Sequence, residues 1–166
     1  MPNGYQHRGG AGRGNERRGH QGGRGGRDER PRRPALDTTG IDLRPGDAGV
    51  LDPDIFDGIA QRTARAVSDA DRYRNKPTQL RQFYDELVMW EEKARQAPER
   101  FGEYLPFIRM LNAKAAYAEG RRHVDRTFTD LMAHCLGQVD DLPALHNFKL
   151  FFEAFLGFYK SERPSG

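Results

Sequence analysis

The stretch Asn75 to Leu87, NKPTQLRQFYDEL, most constrains what this chain can fold into. Pro77 fits a first helical turn, where its missing N–H is no loss. Leu80, Tyr84, Leu87 and Glu91 then recur at helical spacing, and Phe83 and Trp90 widen the apolar stripe. Lys76 stands just ahead of this helix and Arg81 leaves it beside the apolar side. The stretch therefore predicts a helix that buries one face and borders a basic surface.

The rest of the chain supplies packing partners with the same period. Asp52 is a fair N-cap ahead of Pro53, and Ile55, Phe56, Ile59 and Val67 predict a first helix to about Ala70. The second helix runs from Pro77 to about Gln96. Pro98 starts a third, carrying Phe101, Tyr104, Leu105, Ile108, Leu111, Ala115 and Ala118, and Gly120 ends it. A fourth spans roughly Arg122 to Leu136, with Gly137 after it. The fifth, about Leu142 to Lys160, is the most apolar, with Leu145, Phe148, Phe151, Phe152, Phe155, Leu156 and Tyr159. It is either central or also faces a partner chain. No useful strand alternation interrupts this succession. The fold class is all-α, a compact five-helix bundle over residues 51–163.

Charge divides the chain differently. Residues 1–34 hold nine Arg against Glu16, Asp28 and Glu29, a net of +6, while residues 35–166 hold 18 basic and 21 acidic residues, a net of −3. The basic pI thus belongs to the tail, and the partner it suggests is a polyanion, nucleic acid first. The tail reads RGGAGRG, RRGHQGGRGGR and RPRRP. It buries too little apolar surface to offset its ordering cost and is expected to be disordered. It admits two roles: single-stranded RNA binding through phosphate contacts and Arg stacking, or solubilisation. Residues 35–52, with Gly40, Pro45 and Gly46 as breakers, extend it as a linker, so residues 1–50 are grouped as tail and linker.

The chemistry that is missing narrows the function. There is no metal-binding His/Glu motif, phosphate loop or nucleophile elbow. His123, His134 and His146 are scattered, and the lone Cys135 sits in a helical pattern, so no internal disulfide forms. Asp140 and Asp141 read as an N-cap region. No catalytic residue, metal or cofactor is expected. Without a membrane-length apolar run or a signal core, a soluble cytoplasmic protein with no membrane partner is expected.

Basic residues remain. Met110, Lys114, Tyr117 and Arg121 fall on one helical line, a pattern that either grips phosphates and stacks a base or is a solvated face. Arg109 and Arg122 flank it, and the connector Arg72-Tyr-Arg74-Asn-Lys76 would strengthen it if adjacent. Glu153, in FFEAF, needs a basic partner such as Arg81 or Lys114 if buried, or else points to water.

Three stretches in order, NKPTQLRQFYDEL, PFIRMLNAKAAYAEGRR and FFEAFLGFYK, resemble the small subunit of type III-A CRISPR–Cas (Csm) effector complexes over roughly residues 70–165. Lys76, Thr78, Gln79 and Arg81 match the start of that family's basic helix. Lys114, Tyr117, Glu153, Ala154 and Tyr159 match its later positions. The resemblance implies a small five-helix bundle without a nuclease centre. Several copies would stack beside the backbone subunits, with the large subunit as a further partner, and help hold the guide RNA and target RNA. The Gly/Arg tail lies outside the resemblance.

The sequence thus points to a non-catalytic RNA-binding subunit, with Arg72, Arg74, Lys76, Arg81, Arg109, Lys114, Tyr117, Arg121 and Arg122 as candidate contacts and Glu153–Arg81 as a structural ion pair. The rival is a free-standing RNA chaperone or helical adaptor working through its tail. One consequence follows for the tail. Removing one phosphate-binding cation lowers the salt slope of single-strand binding by roughly 0.7, so deleting residues 1–34 should flatten the salt dependence measured for the free protein by salt titration. An unchanged slope would leave the tail no part in binding.

Overall fold

A computed structural model describes residues 35–163. The tail of residues 1–34 lies outside the described residues, so the expected disorder there is not addressed. Among the described residues every regular element is a helix: α1 Gly58–Ala70, α2 Pro77–Gln96, a 3-10 turn Pro98–Arg100, α3 Phe101–Arg109, α4 Leu111–Gly120, α5 Arg126–Gly137 and α6 Leu142–Glu162. The third sequence helix appears as α3 plus α4, joined through Met110 at φ −62° and ψ −18°. That tightened step still passes the ladder on, since Met110 N–H donates to Pro106 O and Lys114 N–H to Met110 O, both at 3.1 Å. Counted as one interrupted element, it completes the expected five helices.

The caps explain where the helices begin. Asp125 accepts from Phe128 N–H at 3.1 Å to start α5, and Asp141 accepts from Ala144 N–H at 2.8 Å to start α6. Helix α1 starts later than Asp52 suggests, because the Asp54 carboxylate takes Gly58 N–H at 3.1 Å after a turn.

Helix α6 is the centre. It buries Ala144, Leu145, Phe148, Phe151, Phe152, Phe155 and Tyr159, and α1 and α2 both pack along it. Phe152 sits among rings, stacked on Phe155 at 5.6 Å and near Tyr84, Phe128 and Phe148 at 6.0–6.2 Å. Truncating a ring so enclosed typically costs ~3–5 kcal/mol.

Residues 35–52 differ from the linker expected of them. Ile41 and Leu43 are buried, alternating with exposed Asp42 and Arg44. Their backbone is read by side chains of α5, of Gln138 just beyond its end, and of α6. Gln138 joins Leu43 N–H at 2.8 Å and Ile41 O at 2.9 Å, His134 donates to Ile41 O at 2.8 Å, and Asn147 donates to Leu43 O at 2.9 Å. A segment this short shows too little period to be seen in sequence, and its partners lie some 95 residues away.

The ends of the helices are tied by two residues. Asn75 is fully buried in the left-handed region, φ 56°. Its N–H donates to His123 O (2.9 Å), its side-chain oxygen accepts from Asp125 N–H (2.9 Å), and its carbonyl accepts from the Tyr159 hydroxyl (2.7 Å). Burial pushes the Tyr159 phenol up to about 12. The Arg163 guanidinium then closes the α1–α2 connector by donating to the carbonyls of Ser68, Asp71 and Arg74 while lying over the Tyr159 ring. A cation at the carboxyl end of α1 also suits that helix's dipole.

Asn75→Ala should therefore destabilise the fold by about 2–4 kcal/mol, because it orphans the buried Asp125 N–H and puts a Cβ-bearing apolar residue in a left-handed site. Asn75→Gly keeps the backbone freedom and should fall between Ala and wild type. Urea melts of the three proteins test this; two substitutions within about 0.5 kcal/mol of wild type would remove Asn75 from its structural role.

Candidate nucleic-acid interface

The connector between α1 and α2 meets the turn after α4. Asn75 hydrogen-bonds His123 and Asp125 across that junction, so two basic loops that are some fifty residues apart in sequence become neighbours. One carries Arg72, Tyr73, Arg74 and Lys76; the other carries Arg121, Arg122 and His123. All of these except half-buried Arg74 are exposed.

The turn after α4 has its own logic. Arg122 N–H donates to Glu119 O at 2.9 Å and His123 N–H to Ala118 O at 2.9 Å, the pairing of a Schellman cap. The residue in the left-handed position is Arg122, φ 62°. Gly120, which the sequence suggested as the stop, is the last helical residue. An arginine in this conformation costs on the order of 1 kcal/mol against glycine, and its side chain is projected from the end of the bundle.

From this end a groove of about 350 Å³ runs between α2 and α4, lined by Gln79, Gln82, Phe83, Glu86, Lys114, Tyr117, Ala118, Arg121 and His123. Lys114 is ion-paired with Glu86. The Arg121 guanidinium lies over the Tyr117 ring, 5.8 Å to its centroid, and donates to its hydroxyl at 3.0 Å. Tyr117 nonetheless remains 66% exposed, and Tyr73 88% exposed. Exposed rings beside guanidinium groups can stack bases while the cations meet phosphates.

The structure brings together Arg72, Lys76, Lys114, Tyr117, Arg121 and Arg122. It draws Arg74 inward, beside Asp71 at 3.6 Å, and Arg109 to the α5–α6 connection, where it donates to Val139 O at 3.2 Å. Twelve residues, roughly 18 Å of helix, separate Arg109 from Arg121. Arg81 lies on the α6 side of α2, paired with Asp85 at 2.8 Å and over the Tyr84 ring at 5.2 Å. Its guanidinium is held above its usual pKa first by the Asp85 hydrogen bond.

The expected Glu153–Arg81 structural pair is corrected. Glu153 is exposed, and Arg81 finds Asp85 one turn along its own helix. Glu153 instead meets the Tyr84 hydroxyl, whose phenol is raised chiefly by burial and then by the charge and hydrogen bond of that carboxylate, and it contributes only a minor part of the field at Arg81. The buried carboxylate held by basic side chains is Glu91, 2% exposed, bound by His146 at 2.8 Å and Lys149 at 3.7 Å. It was visible in sequence as the one acidic residue on the apolar stripe of α2. Sequence reasoning also passed over Tyr73, although it sits between two arginines, and Gln82 and Glu86, which carry no signal until α4 is placed opposite.

Among the described residues no three His, Cys, Asp or Glu side chains stand close enough to hold a metal ion. His134 and His146 are engaged by Ile41 and Glu91, and burial pushes the Cys135 thiol up. No helix among them is long and apolar enough to cross a membrane.

A family model described as Csm2 Type III-A matches residues 53–165, the helical body with the connector, the groove and α6. No curated protein and no solved structure matches the chain.

The two carboxylates should respond differently to truncation. Glu91→Ala leaves a cavity and removes the shared partner of His146 and Lys149, so stability should fall by about 2 kcal/mol or more. Glu153→Ala should stay within about 0.5 kcal/mol of wild type. Thermal melts of both variants decide it, and the reverse order would return the structural role to Glu153.

Proposed function

Since the chain belongs to the Csm2 Type III-A family, and so to the small subunits of type III-A CRISPR–Cas effector complexes, we propose that its basic end and the adjoining groove hold guide and target RNA by backbone charge and shape. The other Csm subunits are its partners. The observation that carries the reading is the junction at Asn75, which joins the Arg72–Lys76 connector to the Arg121–His123 turn at the mouth of the groove.

The mechanism follows from charge. Residues 35–166 carry a net −3, so the body has no general attraction for RNA and can hold it only where cations are gathered. Phosphate contacts position a nucleic acid without reading its sequence. Sequence is read by pairing between guide and target, the division of labour found in other RNA-guided effectors. One copy offers few contacts. Copies that associate along the complex would align their basic ends into a continuous track, and linked weak sites gain avidity that none has alone. The subunit needs no catalytic centre for this work and performs it in the cytoplasm, where the guide and target RNA are.

Target binding by reconstituted complex tests the proposal. Lys114→Ala/Arg121→Ala and Arg72→Ala/Lys76→Ala should each assemble and yet retain target RNA less well, equally for every guide sequence. Arg122→Gly should assemble and melt at least as high as wild type while also binding less. If all three assemble and bind like wild type, RNA lies on another face.

A further inference from the structure

We propose that the α2–α4 groove is a pocket for one unpaired RNA base, with Tyr117 as its stacking floor and Glu86, Gln79 and Gln82 as the groups that read its edge. This deepens the reading that RNA lies at the basic end, and it rests on that reading.

Three observations lead there. The groove holds about 350 Å³, within the lower range of small-ligand pockets, roughly 300–1,000 Å³, and room for a single nucleotide. Its largest ring, Tyr117, is 66% exposed, although Arg121 fixes it through both its face and its hydroxyl. A pre-oriented, uncovered ring beside a cation is a stacking platform, and every base has a face to offer it.

The third observation is Glu86. Its carboxylate lines the same groove and pairs with Lys114. The pair leaves the groove interior without net positive charge, so phosphates gain nothing by entering and stay at the cationic mouth. The carboxylate accepts hydrogen bonds, so what enters brings N–H donors. Gln79 and Gln82 each offer an amide oxygen and an amide N–H₂ beside it. Carboxylates take base amino protons in just this way. Bases paired in a duplex have their donors occupied and their faces stacked, so the occupant is unpaired. Guanine, with ring and exocyclic N–H groups on one edge, suits Glu86; uracil offers it one donor flanked by carbonyls. The phosphates on either side of such a base would then lie toward Arg121, Arg122 and the 72–76 connector.

The test uses full-length protein and three labelled RNA duplexes: fully paired, with one bulged guanine, and with one bulged uracil, each followed by fluorescence anisotropy. The tail acts alike on duplexes that differ by one base, so ratios between them isolate the pocket. Wild type should bind the guanine bulge about ten-fold tighter than the paired duplex, with the uracil bulge between. Tyr117→Ala should bring the three affinities together, and Tyr117→Phe should restore the preference. Glu86→Gln should erase the distinction between guanine and uracil. Equal binding of bulged and paired duplexes by wild type, or an equal loss on all three in Tyr117→Ala, overturns the pocket and leaves the charge-based grip standing. The companion variant Arg72→Ala/Arg122→Gly separates the other case. If it changes binding to none of the duplexes while the Tyr117-dependent guanine preference persists, the pocket holds and the grip at the basic end fails.

Discussion

The placement of the basic end depends on a buried asparagine in a left-handed conformation. Asn75 lies near the end of the α1–α2 connector, and all its polar groups are turned inward. Asparagine tolerates this backbone region better than most residues and carries an amide that can satisfy both donors and acceptors. The joint thereby sets three elements at once. It fixes where α2 begins, it positions the N-terminus of α5 through Asp125, and it anchors the end of α6 through Tyr159. A buried backbone N–H such as that of Asp125 needs a partner, and at this position no helix of its own can supply one. The two basic loops are thus ordered by the same bonds that terminate the core.

Legibility in the sequence followed the range of the interactions. The apolar rows of α2 and α6 are local and strong, so their helices, and the central place of α6 among the two readings open to it, could be anticipated from Phe148, Phe152, Phe155 and Tyr159. Features that rest on distant partners could not. Ile41 and Leu43 are core residues only because Gln138 and Asn147 hold their backbone. Glu153 and Glu91 look alike in composition, both being acids on apolar helices, and burial reverses the expected roles. Glu91 sits on the stripe that α6 covers, with His146 and Lys149 reaching it, whereas Glu153 emerges from α6 into solvent. The Arg122 cap was hidden by Gly120, the more conventional stop, because a Schellman bond pattern is a property of backbone geometry.

The candidate site was legible as a line and not as a surface. Lys114, Tyr117 and Arg121 share a helical row whatever the rest of the fold does. Their environment comes from α2, and it modifies the simple picture of a basic patch. Glu86 neutralises Lys114, so the cationic character lies at the mouth, with Arg121, Arg122 and the connector, and the interior is mixed. Arg81 matches the basic-helix start of the resemblance and still faces away, since residues 79, 82, 83 and 86 line the groove and 81 and 85 point to the α6 side. Two residues apart on a helix is enough to change faces.

On the proposed function, this arrangement also separates binding from folding. The large apolar residues are enclosed by α6, while Arg72, Lys76, Arg121 and Arg122 contribute nothing to that core and stand in water. Removing their charges perturbs the fold little, because exposed ions carry little stability. The residues that cannot be changed lightly are those behind them, Asn75 and Arg163, which touch no solvent-facing site themselves but hold the connector in place. A subunit built this way keeps a rigid support under a weak, charge-based surface. On the proposed function, such a surface would be poor as a single binding site and effective when repeated, since each added copy would contribute contacts at a fixed spacing without a new fold to stabilise. The left-handed Arg122 fits the same logic. A glycine there would be less strained, and what the strain retains is a cation at the rim of the groove.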